Sequence, residues 1–547
     1  MNFSDSDLTR LKVLLRDCGN VYEASSNVNE RKRTYNKGGV HLVTTRILVV
    51  DLLMKRIPIE FITGIIVLKA HEIVESCQEA FALQLYRKYN KSGFIKAFSS
   101  KAEAFTFGYT HLEKAMRNLF VNELYIWPRF HALVQASLKG NEIQAFELNV
   151  PATDKMVQMQ HIILEILNSM VKEIKRINPS VDLEEITVEN CVSKYFHKIL
   201  KVQLDCIWHQ LNNQTKLLIS DLKILRNIIL SLFYKNSLKS YDLIMQYRTK
   251  EYAMNNSGWV LSENADKLFK LAKDRVFNSE GEFEPEAPPK WATLEEIINV
   301  EIPGMLDSSQ NTIDKQKVLI LCEDIGTSYQ LQQLLTQGSA KLLLMEALKY
   351  NIKVQKISEK LFKKTSKVRN EQIEEDIFEN PDEFLETIKE SFLATQNAPE
   401  YDHFETTLSV LPEPEKKGLS KDFPLITIQT LKSEEDRDEC ILLDEIICRI
   451  QPQFIILYHY NVSAVRQIES LEARQRRKAD DRFKVFFMIH PNTIEEQAYL
   501  TSLRREKQAF QLLIETKKTM VFQKIKMGNP KNMKISRTVK PLSNPVS

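Results

Sequence analysis

The chain has 547 residues, length for roughly three or four domains of ordinary size. Its formal net charge of +3, with a pI near 8.2, is too mild to establish nucleic-acid binding and is compatible with a basic face in a balanced total. The first twenty residues mix both charges without the apolar stretch of a signal peptide, and later apolar runs are interrupted by charges such as Asp51, which predicts a soluble intracellular protein. Cys18, Cys77, Cys191, Cys206, Cys322, Cys440 and Cys448 are scattered without a Cys-x-x-Cys pair, and Cys206 and His209 have no second pair to complete a zinc site. They read as buried free thiols in a reducing compartment.

In chain order, residues 4–17 predict an amphipathic helix with Leu8, Leu11, Leu14 and Leu15 on one face. Glu30-Arg31-Lys32 reads as a solvated charged turn before Gly38-Gly39, and the β-branched run 42–51 predicts a strand. A short buried strand is expected at Ile65-Ile66-Val67, followed by Leu68-Lys69-Ala70-His71, in which His71 reads as a structural histidine. Next come a helix over 72–89, a strand over 94–98, a long helix through Met116 and a strand over 124–126 closed by Trp127-Pro128. Phe94, Phe98, Phe105, Phe107, Phe120 and Phe130 are assigned to the core rather than to a base-stacking platform. Short strands alternating with helix-length segments indicate an α/β fold with a parallel sheet wound by helices.

Residues 1–150 are therefore one α/β domain, and 151–278 have nearly continuous helical periodicity. The acidic, proline-containing stretch ending at Trp291 marks a linker with a short helix over 279–315. A buried strand at 317–322 opens a second α/β domain over 316–349, in which a single helix follows the strand. The mixed-charge stretch 350–423 is expected to be a disordered insertion, and 424–520 resumes the domain. Residues 521–547 read as a disordered basic tail.

The blocks ILVVDLL, ITGIIVLKAHEI, ESCQEAF, GFIKAF, MRNLFV and WPRFH, then LDCIWHQL, TKLLISDLKILR, NSGW, VLILCED, RIQPQFIILY and TIEEQAYLTSLRREKQAFQLLI, resemble the helicase-like region of the XPF-type structure-specific DNA repair endonucleases. The resemblance runs from about Leu11 to Val521, in family order. It implies two helicase-like RecA-type lobes, the first truncated at its N-terminus, with an all-α domain inserted between them. In such helicases an Asp-Glu-Ala-His quartet follows a buried strand, the Asp holding Mg²⁺ and the Glu activating water. Leu68 has no oxygen for a hard cation, and Lys69 brings a positive charge where a base is required. No Gly-x-x-x-x-Gly-Lys-Ser/Thr loop occurs either, so ATP hydrolysis is not expected.

Glu30-Arg31-Lys32 matches part of the family's nuclease motif, but Asn36 stands where its Asp belongs and no Gly-Asp pair precedes it. No residue is assigned to catalysis or metal binding. By the resemblance, Thr44, Thr45, Arg46 and Arg56 are candidate phosphate contacts, with a local Arg46–Asp51 pair as the competing reading. Lys216, Lys223, Arg226, Lys250 and Lys273 are candidates for a DNA-facing groove, with simple solvation of a helix face as the competing reading.

The implied function is a non-hydrolysing platform of nucleotide excision repair and recombination, located in the nucleus. Expected partners are damaged or branched DNA, single-stranded DNA at junctions, and repair scaffold and damage-recognition proteins, with no membrane. Incision, its Mg²⁺ or Mn²⁺, and normal pairing with the family's small subunit are expected to belong to nuclease and helix-hairpin-helix domains outside this sequence. The alternatives are a protein-interaction module or nonfunctional truncated form without DNA affinity, and an active metal-dependent nuclease or translocase.

Overall fold

The computed structural model describes residues 1–361, 385, 408–410, 424–432, 443–522 and 535–537, apart from positions 4, 16–18, 107–110, 180–185, 194–195, 198–199, 201–203, 205–207, 257, 306–316, 476 and 479–481. The chain divides into two units, one of residues 1–137 with 502–547 and one of residues 138–501.

In the first unit, β1 (Val21–Glu23) pairs in parallel with β2 (Val40–Leu42), and β3 (Gly64–Val67) pairs in parallel with β4 (Phe94–Ala97). A crossover through the Gln78–Tyr89 helix joins β3 to β4, as parallel neighbours require. Ala80, Leu83 and Tyr86 of that helix bury against Ile65, Val67 and Ile95. Tyr86 donates to the Ile62 carbonyl at 3.0 Å. A Cβ at position 93 would stand 1.7 Å from the Tyr86 hydroxyl, so only glycine fits there.

Two expectations for this unit fail. The 42–51 run is not a strand: β2 ends at Leu42 and a helix spans Thr45–Leu53. Its buried residues Thr45, Leu48, Asp51 and Leu52 recur at helical spacing, and tertiary burial of that stripe outweighs the β-branched bias of Ile47, Val49 and Val50. Residues 124–126 lie outside any strand, alongside the Ile494–Thr519 helix rather than in a ladder. The helix ending near Met116 spans only His111–Asn118.

The second unit is built on a six-stranded sheet in which β5 (Gln144–Asn149), β6 (Lys317–Cys322), β7 (Leu408–Val410), β8 (Leu425–Thr430), β9 (Phe454–Leu457) and β10 (Lys484–Ile489) stand in the order β5-β10-β9-β6-β8-β7. All pairings are parallel except β7 with β8. Val318, Ile320 and Cys322 face one helical layer, and Leu319 and Leu321 face the other. Burial on both faces explains why these strands read as continuous apolar runs.

β5 belongs to this sheet, in register with β10, although the expected boundary at 150 assigned it to the first domain. Between Asp154 and Asp274 the described residues form helices and their connections, several opened by side-chain caps from Thr153, Thr187, Asn236, Thr249 and Ser262. The 154–177, 213–234 and 263–274 helices share one apolar core.

The acidic stretch before Trp291 is packed rather than a loose linker: Phe283, Lys290 and Trp291 are buried, and Arg275 binds Glu286 at 2.6 Å. The single helix expected after β6 is two, Ile325–Gln337 and Ser339–Lys349, broken at Gly338. Most of 350–423 lies outside the described residues, as does most of the 521–547 tail. In that tail β12 (Ile535–Arg537) pairs antiparallel with β11 (Met520–Phe522). Among the described residues no helix is long and apolar enough to cross a membrane.

Candidate nucleic-acid interface

The quartet Leu68-Lys69-Ala70-His71 sits directly beyond the end of β3. Lys69 takes the left-handed backbone conformation at φ 48°, and its ammonium lies 3.8 Å from Asp7. Ala70 is buried, and His71 Nδ1 is 2.9 Å from Ser99 Oγ. Leu68 N–H donates to the Met1 carbonyl at 3.0 Å, and the Asn2 amide donates to the Leu68 carbonyl at 3.2 Å and to Glu72 at 3.0 Å. The corner thus presents an isobutyl group at Leu68 and an ammonium at Lys69, neither of which can hold a hard cation or act as a base in its charged form.

Glu30-Arg31-Lys32 is not a solvated turn. It lies in a helix, Val28–Tyr35, capped by Asn27, and Arg31 is buried. The guanidinium donates to both carboxylate oxygens of Asp51, at 2.9 and 3.2 Å, and to the carbonyls of Ser25 and Ser26. Arg56 and the Tyr35 hydroxyl donate to the same carboxylate at 3.0 and 2.9 Å. Burial alone would raise the Asp51 carboxyl, but the hydrogen bonds from Arg31, Arg56 and Tyr35 outweigh it and hold it below its ordinary value. Arg31, not Arg46, is therefore the main partner of Asp51. Sequence reasoning missed it because the two residues lie 20 apart.

Of the proposed phosphate contacts, Thr44 and Arg46 are exposed at the start of the Thr45–Leu53 helix, Thr45 is buried, and Arg56 is committed to Asp51. Lys216 and Lys223 are seven apart on the Asn213–Tyr234 helix and so share a face. Lys216 lies over the Trp208 ring at 5.9 Å, and Lys223 is exposed. Arg226 turns inward, donating to the Ser193 carbonyl at 3.1 Å, and burial lowers its guanidinium from its ordinary value. Lys250 and Lys273 are exposed on the Lys250–Asn255 and Glu263–Asp274 helices. Arg474 is bound to Asp444 at 2.7 Å.

In the second unit the strand order reverses between β6 and β9, the place where open parallel sheets form ligand crevices at their carboxyl ends. Here that edge is occupied by the end of the Asn213–Tyr234 helix. The Tyr234 ring lies 5.0 Å from the His459 ring, Lys235 pairs with Asp324, and Asn236 donates to Glu346. His459 Nδ1 accepts from the Glu323 N–H at 3.1 Å, and burial pulls the imidazole down to about 3. Beside it Lys290 is fully buried, bound to Glu495 at 2.6 Å and to the Tyr458 carbonyl at 3.1 Å. Among the described residues no group of three or more His, Cys, Asp or Glu side chains could hold a metal ion.

The core assignment of the phenylalanines holds only in part: Phe94, Phe98 and Phe130 are exposed, and Phe107 lies outside the described residues. Among the described residues β3 and β4 are the only strands of their sheet, and Phe94 and Phe98 share the face not covered by the Gln78–Tyr89 helix.

No family model matches the chain. It is 45% identical to the DNA repair endonuclease XPF of Drosophila melanogaster over 93% of its own length and 57% of that protein's. It is 33% identical to the Mus musculus XPF endonuclease, with 94% and 62% covered, and 30% identical to the DNA repair protein rad16 of Schizosaccharomyces pombe, with 91% and 61% covered. The chain thus spans about three-fifths of the length of these relatives. In fold it resembles the Pyrococcus furiosus Hef helicase domain, at a TM-score of 0.51 and 14% identity, over 91% of this chain and 87% of that one. The chain is a homologue of the XPF-type DNA repair endonucleases, matched to them along nine-tenths of its length, and carries a helicase-like α/β fold.

Proposed function

We propose that this chain is the helicase-like portion of an XPF-type endonuclease of nucleotide excision repair and recombination, acting in the nucleus as a DNA-binding platform that does not hydrolyse ATP. The observation that carries the reading is the corner after β3, where Leu68 and Lys69 stand at the two positions that metal and water chemistry would require to be acidic. The filled carboxyl edge between β6 and β9 supports it. The DNA recognised is branched or single-stranded near a duplex junction, held through phosphates by exposed cations such as Arg46, Lys223, Lys250 and Lys273. Repair scaffold and damage-recognition proteins are its protein partners. No residue of this chain is assigned to incision or to its Mg²⁺ or Mn²⁺.

The test is a forked DNA incubated with the purified chain across a salt series, with Mg²⁺ or Mn²⁺ and with ATP. The expected outcome is binding that weakens steeply with salt, intact DNA and no released phosphate. DNA-stimulated phosphate release, or cleavage lost in Glu30→Ala, would overturn the reading.

A further inference from the structure

Residues 124–129 of the first unit alternate in exposure. Leu124 and Ile126 pack onto the cluster of Leu112, Met116, Leu513 and Met520, whereas Tyr125 is 70% and Trp127 58% exposed. This is the period of an extended chain, in which every second side chain projects to one side about 6.6 Å further along. Arg129, also exposed, lies in the turn closed by the His131 N–H on the Pro128 carbonyl at 2.9 Å. The segment follows the end of the Ile494–Thr519 helix: Phe130 meets Phe510 edge-on at 6.3 Å, and Lys517 Nζ lies 5.8 Å from the Tyr125 ring centre. Both rings stand in water above this apolar underside, and the Trp127 ring has the His131 ring beside it at 5.1 Å.

The surrounding charge is basic. From 124 to 137 there is no Asp or Glu but there is Arg129, and from 504 to 518 Arg504, Arg505, Lys507, Lys517 and Lys518 outnumber Glu506 and Glu515. Glu123, which accepts the Tyr125 hydroxyl at 2.7 Å, closes one end.

We propose that Tyr125 and Trp127 form a stacking ledge for the unpaired bases of single-stranded DNA, with Lys517 and Arg129 beside the strand. Base faces are open to aromatic rings only where a strand is unpaired, and exposed aromatics interleaved with cations are the usual means of holding one without sequence preference. A step near 6.6 Å is about twice the 3.4 Å rise of a base in duplex, which suits a stretched single strand. The ledge rests on the DNA-binding reading above and adds to it a location and a strand type.

The test uses the full chain with two labelled probes of equal charge, an oligothymidylate of about 20 nucleotides and an abasic oligonucleotide of the same length. Wild type should prefer the thymidylate. Tyr125→Ala and Trp127→Ala should each weaken thymidylate binding roughly 5- to 100-fold, the loss expected for one stacked base, and leave abasic binding and the salt slope unchanged. Trp127→Phe, which keeps an aromatic face, should retain most of the affinity, and Lys517→Gln should lower the salt slope by about one. If wild type binds forked DNA and both alanine variants bind thymidylate equally well, the ledge is overturned and the DNA-binding reading stands. If wild type binds no DNA at low salt, both fall.

Discussion

At the scale of single residues, the energetics concentrate on two carboxylates that serve as buried anchors. Asp51 accepts four hydrogen bonds from three side chains, and Asp51→Ala would leave the Arg31 guanidinium buried without its counter-charge. Removing one partner of such a pair costs about 3–5 kcal/mol, whereas replacing both sides with apolar groups is often neutral. We expect faster amide exchange across the Val28–Tyr35 and Thr45–Leu53 helices in Asp51→Ala, largely restored by Arg31→Met with Asp51→Leu. The pH dependence follows from the direction of the shift. The folded carboxyl lies below its ordinary 3.8, so its stabilisation is present above that value and lost as pH falls through the folded pKa. Wild type should therefore lose protection of these helices below about pH 4, and Asp51→Asn should show a flatter response. Glu495 plays the same part for Lys290, and Glu495→Gln should destabilise the second unit by about 3–5 kcal/mol, read by urea unfolding.

At the scale of elements, what the sequence announces depends on how local the cause is. Strands buried on both faces, such as Lys317–Cys322 and Lys484–Ile489, declare themselves as apolar runs, and the long helices by period and cap. The Thr45–Leu53 helix does not, because its β-branched residues favour a strand in isolation and only the partners of Leu48, Asp51 and Leu52 decide otherwise. The site was legible to a similar degree. Leu68 and Lys69 are local substitutions in a recognisable block, while Arg31–Asp51 and Lys290–Glu495 join positions 20 and 205 residues apart. Tyr125 and Trp127 carried a local sign, alternation with Leu124 and Ile126, that a strand explains equally well. Gly338 shows a break that composition hides: its φ of 81° and ψ of 162° are open essentially to glycine alone. Gly338→Ala should cost about 1–3 kcal/mol, measured as a lower urea midpoint with an unchanged slope.

At the scale of the whole molecule, order along the chain and order in space part company. The chain visits β5, leaves for the helices of 154–274, and returns to place β10 beside it, so that His490 donates to the Val150 carbonyl across 340 residues at 2.7 Å. A ribosome adding about 5–20 residues per second needs roughly 20–70 s to make that stretch. Throughout this interval β5 has left the exit tunnel with no neighbour for its hydrogen bonds, and it is exposed to mispairing with other nascent chains. Slower translation downstream of position 149 lengthens that interval and should lower the yield of soluble chain.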